Sequence, residues 1–397
     1  MERVIIAGGG TGATMLANTL DRRKFAISVI TDSVHHVFQP ALLYVAFRNA
    51  KVNIERDERR LLPHDVHLVR DRITGIDLGE QVITVQTGAR HAYDRLVVAT
   101  GIHTDPNQIP GLAAVNTEFG DYHSSIAQAQ KLWSRLNRFE GGTIALGQTS
   151  PVCKCPPSPV EGILLVDALL RKRHLRKQSR LVFFTPYPRA YPAEGINVTV
   201  EPILRERGIE CMTFFDVDSV DARTRTIKSI EGDSIVYDLA ILIPPFVGAE
   251  IGYSPAGVLD ANRFLIADKT KLNIVGFENA FVLGDASNAP TAKSGVTAHL
   301  EAKVIAKRLG GEDATFDGRT NCPMDLADGR GVFVIGSYTT PVIRYRPSYV
   351  SHFMKRMMSK IYWISLRGVL EPIFETYFQL TNPDRRKTRE SPARQHR

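Results

Sequence analysis

A chain of 397 residues, 43% hydrophobic and 23% charged, is long enough for two or three globular domains and too apolar to be disordered. Its net charge of +8 calls for a negative partner; no helix-turn-helix, zinc-finger or RNA-binding pattern accompanies it, so a lipid surface is expected and nucleic acid is not. Four cysteines in so long a chain form no disulfide framework, and no apolar run reaches the length of a bilayer span.

In chain order, Arg3-Val-Ile-Ile-Ala7 is a short buried strand that starts almost at Met1, so no cleaved signal peptide is expected. Gly8-Gly-Gly-Thr-Gly-Ala13 follows and fits G-x-G-x-x-A, with Thr11 and Gly12 filling the variable positions. Gly8 makes the turn, Gly10 admits a pyrophosphate and Ala13 lets the next helix pack closely. A second strand, Ala26 to Thr31, is followed by Asp32, an acid for the adenosine ribose that falls one residue later than the fingerprint places it. Tyr93 to Gly101 is a strand that ends in Ala99-Thr100-Gly101.

Gly142 to Gly147 reads as another buried strand and Ile163 to Leu170 as an apolar helix. A second nucleotide loop would carry G-x-G-x-x-G between them. Instead Pro151-Val-Cys-Lys-Cys-Pro-Pro-Ser-Pro-Val-Glu161 stands there. Proline removes backbone N–H donors and fixes φ, so this loop is a poor phosphate cradle and a rigid mount for thiols. The following strand, Arg180 to Pro186, ends in Thr185 without an acid, which again disfavours NAD. Cys155 needs a positive neighbour to be reactive, and Lys154 and the dipole of the following helix are the expected sources. Cys153 is an extra thiol that can compete as a partner. Cys211 lies in a strand and is expected to be inert.

Asn279 to Ala286 is a strand that ends in Gly284-Asp285-Ala286, ahead of a helix from about Lys293 to Leu309. In two-dinucleotide flavoproteins this aspartate meets the ribityl chain and the helix points its positive end at the flavin. The three glycine-containing segments together therefore select FAD. Cys322 precedes a polar turn and an apolar strand. From Tyr349, the residues Val350, Phe353, Met354, Met357, Met358, Ile361 and Ile364 recur at helical spacing, with Lys355, Arg356 and Lys360 on the other face. Such a helix suits a lipid headgroup plane. A second apolar segment runs from Ile373 to Leu380, and Thr381 to Arg397 is expected to be disordered. No metal is expected, since C-x-C has no second ligand pair at metal spacing.

Taken in order, Gly8 to Ala13, His36-Val-Phe-Gln-Pro40, the Ala-Thr-Gly strand, Cys155 to Glu161, Gly284 to Ala286, Cys322 to Gly331 and Glu371-Pro-Ile-Phe374 resemble the sulfide:quinone oxidoreductases. The resemblance implies an α/β fold of two Rossmann-like units and a C-terminal amphipathic region. The expected FAD domain is discontinuous, 1–106 with 256–318. It encloses a second domain at 107–255 and precedes a membrane and quinone region at 319–380. Cys155 and Cys322, with Glu161 for protons and Cys153 nearby, are the expected catalytic residues. Gly8, Gly10, Thr11, Gly12, Ala13, Asp32, Ala99, Thr100, Gly101, Gly284, Asp285 and Lys293 would hold FAD. Phe246, Tyr349 and Phe353 are candidate quinone contacts. The family's further cysteine is absent from Gly120 to Ser125, so FAD is expected to be non-covalent. The implied partners are hydrogen sulfide, a membrane quinone and the bilayer surface of a peripheral protein; a homo-oligomer stays open. Alternatives are a sulfide dehydrogenase flavoprotein with a cytochrome acceptor, a type II NADH:quinone oxidoreductase and a non-catalytic FAD redox sensor.

Overall fold

The computed structural model describes residues 1–50, 53–343 and 346–384. Eleven strands and five helices position the site. The strands are β1 (Glu2–Ala7), β2 (Phe25–Thr31), β3 (His67–Arg70), β4 (Arg95–Val98), β5 (Gly142–Gln148), β6 (Ser179–Phe184), β7 (Ile209–Met212), β8 (Leu239–Ile243), β9 (Ala280–Val282), β10 (Thr320–Asp325) and β11 (Gly331–Gly336). The helices are α1 (Thr11–Thr19), α2 (Ser158–Lys172), α3 (Gly295–Leu309), α4 (Tyr349–Ser365) and α5 (Glu371–Leu380).

Two parallel sheets dominate. The first has the order β9-β4-β1-β2-β3, so a strand from beyond residue 279 completes a sheet begun at residue 2. The second has the order β7-β6-β5-β8. Their central strands are continuous apolar runs because both faces are covered: Val4 to Ala7 and Ile144 to Leu146 are all buried. Helix α1 packs against α3, which brings the chain's first helix onto the one that follows Gly284 to Ala286.

The C-terminal part adds an antiparallel hairpin, β10 with β11, in which Cys322 pairs with Val334. Cys322 thus lies within a strand of its own, ahead of the polar turn and the apolar strand that the sequence placed after it. Helix α4 packs across both strands of this hairpin. Its N-cap is Ser348, whose hydroxyl accepts the Ser351 N–H. Helix α5 docks on α3, with Glu371 2.9 Å from both His299 Nε2 and Lys303 Nζ. The expected disorder from Thr381 holds for no described residue of the tail: the Asp384 carboxylate accepts hydrogen bonds from Ser337 and Thr339, both at 2.9 Å. Residues 385–397 lie outside the described part. Among the described residues no helix is long and apolar enough to cross a membrane.

Candidate active site

The dinucleotide turn is built by close approach. Gly8 has φ 120°, and a Cβ there would sit 2.2 Å from the Ala99 carbonyl oxygen, so this crossing of β1 and the Ala99-Thr100-Gly101 strand end requires glycine. Gly10 faces open space: an added Cβ would meet nothing within 4 Å, which fits a group lying over the loop. Ala13 is fully buried, and Asp32 stands exposed at the end of β2. Around the second crossing, the Gly284 N–H donates to Glu301 at 2.6 Å, and burial raises the Asp285 carboxyl above its ordinary value. Lys293 caps this corner; its ammonium donates to the Asp285 and Ser287 carbonyls at 2.8 and 2.7 Å and lies 4.0 Å from the centre of the Phe264 ring.

The cysteine loop is fastened to the same corner. The Cys155 N–H donates to the Lys293 carbonyl at 2.8 Å, and the Cys155 carbonyl accepts the Ser158 N–H at the start of α2. Cys155 itself adopts φ 59°, a strained left-handed conformation held by those two bonds. The loop brings Cys155 into the electrostatic neighbourhood of Glu161, Lys355 and Cys322. Burial pushes the Cys155 thiol far above its ordinary value, Glu161 adds to this, and Lys355 opposes it. Burial also raises Cys322, against the hydroxyls of Ser294 and Thr320.

Two expectations change here. Lys154 turns away from Cys155: its ammonium donates to the His123 carbonyl at 3.1 Å and to Gln39 at 3.3 Å. The cation beside Cys155 is Lys355, from α4, which the sequence placed on a lipid-facing polar side. Lys355 is half-buried and ion-paired with the buried Glu161. Burial alone would lower its pKa, but Glu161, with Tyr44 and Cys155 nearby, holds it above the ordinary lysine value. Glu161 also accepts the Asp325 N–H, which ties α2 to β10. Asp325 is in turn paired with Arg48 and His352 at 3.1 and 3.3 Å.

A second buried chain joins α4 to the dinucleotide turn. Tyr362 OH lies 2.6 Å from Thr11 Oγ1 and 2.5 Å from His36 Nε2. His36 Nδ1 pairs with Glu58 at 3.1 Å, and Thr14 donates to Glu58 at 2.7 Å. No local signal in the sequence marks Glu58, Tyr362 or Glu301. His123 was equally hidden; it is buried, bonded to Ser158 Oγ at 2.9 Å, and held neutral by burial.

Of the three aromatic candidates, Phe246 is buried against His123 and the Lys154 ammonium, whereas Tyr349 and Phe353 are 72% and 60% exposed on α4. Cys211 is half-buried on β7, its thiol pushed up to about 11 by desolvation. Beyond the carboxyl ends of β5 and β6 lies a cavity of about 570 Å³. This is the crevice where a doubly wound sheet binds a nucleotide. Here Gln148, Pro151, Tyr187 and Tyr191 line it, with Cys153 and Cys322 on its wall.

A family model described as pyridine nucleotide-disulphide oxidoreductase matches residues 2–302. The mitochondrial sulfide:quinone oxidoreductase of Dictyostelium discoideum is 24% identical over 91% of this chain and 85% of its own length. The sulfide-quinone reductase of Aquifex aeolicus is 23% identical over 94% of this chain and 93% of its own. The X-ray structure of the Aquifex aeolicus sulfide:quinone oxidoreductase superposes with a TM-score of 0.82 at 19% identity, covering 96% of this chain and 95% of that one.

Proposed function

Because the chain belongs to the pyridine nucleotide-disulphide oxidoreductases, we propose that it oxidises hydrogen sulfide to sulfane sulfur and passes the electrons to a membrane quinone through FAD. One observation carries this reading: the fold brings Cys155 and Cys322, 167 positions apart, into one electrostatic cluster with the Lys355–Glu161 ion pair, in a unit whose nucleotide loop is replaced by prolines and thiols. The relatives named as sulfide:quinone oxidoreductases support it.

FAD fits the open space over Gly10, the Ala99 to Gly101 crossing and the Gly284 to Ala286 corner; bound there, it supplies a two-electron acceptor. Hydrosulfide attacks a Cys155–Cys322 bridge. The S–S bond breaks, Cys322 keeps the incoming sulfur as a persulfide, and Cys155 leaves as a thiolate beside Lys355. Once the outer sulfur has left Cys322, to end on a second hydrosulfide as HSS⁻, the Cys155 thiolate and the Cys322 thiol re-close the bridge and give up two electrons and one proton, with Glu161 as the group for the proton. Tyr349 and Phe353 form the quinone's approach on α4, and Phe246 an inner contact. The exposed apolar residues Val350, Phe353, Ile364, Val369, Ile373 and Leu380 make a face for the headgroup region of a bilayer.

Anaerobic titration with sulfide while following flavin absorbance tests the reading, with decylubiquinone reduction as the second half. Bleaching by NADH and none by sulfide would replace it with NADH:quinone chemistry.

A further inference from the structure

The two cysteines of the Pro151 to Glu161 loop do different things. Cys155 is half-buried and feels the charges of Glu161 and Lys355. Cys153, two residues earlier, lines the cavity, and Cys322 lines it too, while Cys155 is not part of its wall. Cys322 thus belongs to both settings: it shares the cavity wall with Cys153 and the electrostatic neighbourhood of Cys155. The cavity reaches the surface, since Pro151, Pro192, Asn262, Asn288 and Pro290 on its wall are exposed. Cys153 is fixed in place by the prolines around it and by Tyr187, whose hydroxyl donates to the Pro151 carbonyl.

We propose that Cys153 is a sulfur carrier: it takes the sulfane sulfur from Cys322 and presents it to hydrosulfide entering through the cavity. The inference rests on the sulfide-oxidising reading above. The transfer is Cys322–S–SH plus Cys153–SH giving Cys322–SH plus Cys153–S–SH. The sulfur–sulfur bond at Cys322 breaks, one forms at Cys153, and the proton passes to the departing Cys322 sulfur. No electrons are gained or lost in this exchange. Cys155 thiolate and Cys322 thiol then re-form their disulfide, releasing one proton and the two electrons that go to the flavin. Hydrosulfide finally attacks the outer sulfur on Cys153, giving Cys153–SH and HSS⁻.

This division of labour suits the surroundings. Desolvation pushes the Cys153 thiol up to about 12, so it is protonated at neutral pH and carries the proton that passes to the departing Cys322 sulfur. The carrier also keeps the redox pair from lengthening into a polysulfane, because each sulfur is removed to the cavity before the bridge closes.

The test uses the full-length FAD-loaded enzyme, mixed anaerobically with one equivalent of sulfide, alkylated and cut with trypsin. Lys154 separates the two loop cysteines into fragments 139–154 and 155–171, and Cys322 falls in 320–330. The expected result is an alkylated fragment 139–154 about 32 Da heavier, the mass of one sulfur. In Cys153→Ser the extra sulfur should stay on fragment 320–330, and turnover with excess sulfide should fall by roughly tenfold or more, about 1.4 kcal/mol of barrier. Bleached flavin with sulfur on 320–330 alone in the wild type, and undiminished turnover in the variant, would overturn the carrier while sparing the sulfide reading. Flavin that sulfide leaves oxidised would overturn both.

Discussion

A half-buried lysine beside a carboxylate and a thiol keeps its charge only while the carboxylate remains. Lys355→Met strands the Glu161 charge in the core, and breaking such a pair costs about 3–5 kcal/mol, so a lower melting temperature is expected in calorimetry. The same change removes the cation that favours the Cys155 thiolate. The thiol pKa rises further, and the acid limb of sulfide-driven flavin reduction moves to higher pH. Thiolate at a fixed pH falls about tenfold for each pH unit the limb moves, which stopped-flow traces across pH read directly. Cys155→Ser and Cys322→Ser should each abolish flavin reduction by sulfide, and Cys211→Ser, remote on β7, should leave it intact. Glu301 gives a separate pH signature. Burial lifts its pKa to about 8, so the folded protein holds a proton that the unfolded chain loses near 4.3. Stability is then fully present below about 4.3, falls as pH rises toward 8 and is flat beyond, by up to about 5 kcal/mol. Glu301→Gln should flatten that slope in melts taken between pH 5 and 9; a slope unchanged in the variant would place its origin elsewhere.

At the level of elements, the strands other than β3 and β10, and the helices α1, α2 and α3, were legible because their signals are local: a buried run, a glycine turn, an apolar period. Helix α4 was legible as a helix; of its apolar set Val350, Phe353 and Ile364 are exposed, beside Arg356 and Lys360. Its inner face was not legible. Glu161 and Lys355 are 194 positions apart, and periodicity says nothing about which distant carboxylate a lysine will meet. Tyr362 reaches Thr11 across 351 positions for the same reason. Removing α4 outright therefore also strips the thiol of its cation and the dinucleotide turn of its tyrosine. A cleaner test of the lipid-facing side changes only exposed residues. Phe353→Glu with Ile373→Glu, at positions 60% and 66% exposed, should keep sulfide-driven flavin reduction. Each lost anchor is worth ~1.5–3 kcal/mol, so binding to anionic vesicles in a sedimentation assay should drop at least tenfold. Unchanged vesicle binding would assign this face to another partner.

For the molecule as a whole, the first sheet needs β9 to complete what β1 to β4 begin, so the candidate FAD site is assembled from both ends of a long insertion. The glycine turns that announce such a site were readable in advance because each obeys a steric rule, as Gly8 against Ala99 does. The large-scale exchange was readable too: prolines and thiols at the end of β5 replaced a phosphate loop. What sequence could not show was that the vacated crevice remains open and has two cysteines on its wall. With no cysteine between Gly120 and Ser125, the yellow chromophore should leave the protein on acid precipitation and stay in the supernatant. Flavin retained in the pellet would mean a covalent link through some other residue.

The distance along the chain between Cys155 and Lys355 is also an interval in time. A ribosome makes the thiol 200 residues before the lysine, which at ~5–20 residues per second is roughly 10–40 s. Through that interval Cys155 lacks both the burial that raises its pKa and the Lys355 cation that opposes the rise, so it is an ordinary thiol titrating near ~8.5. Cys155 thus leaves the ribosome as a plain thiol, and α4, made 200 residues later, brings the cation that its burial comes to need.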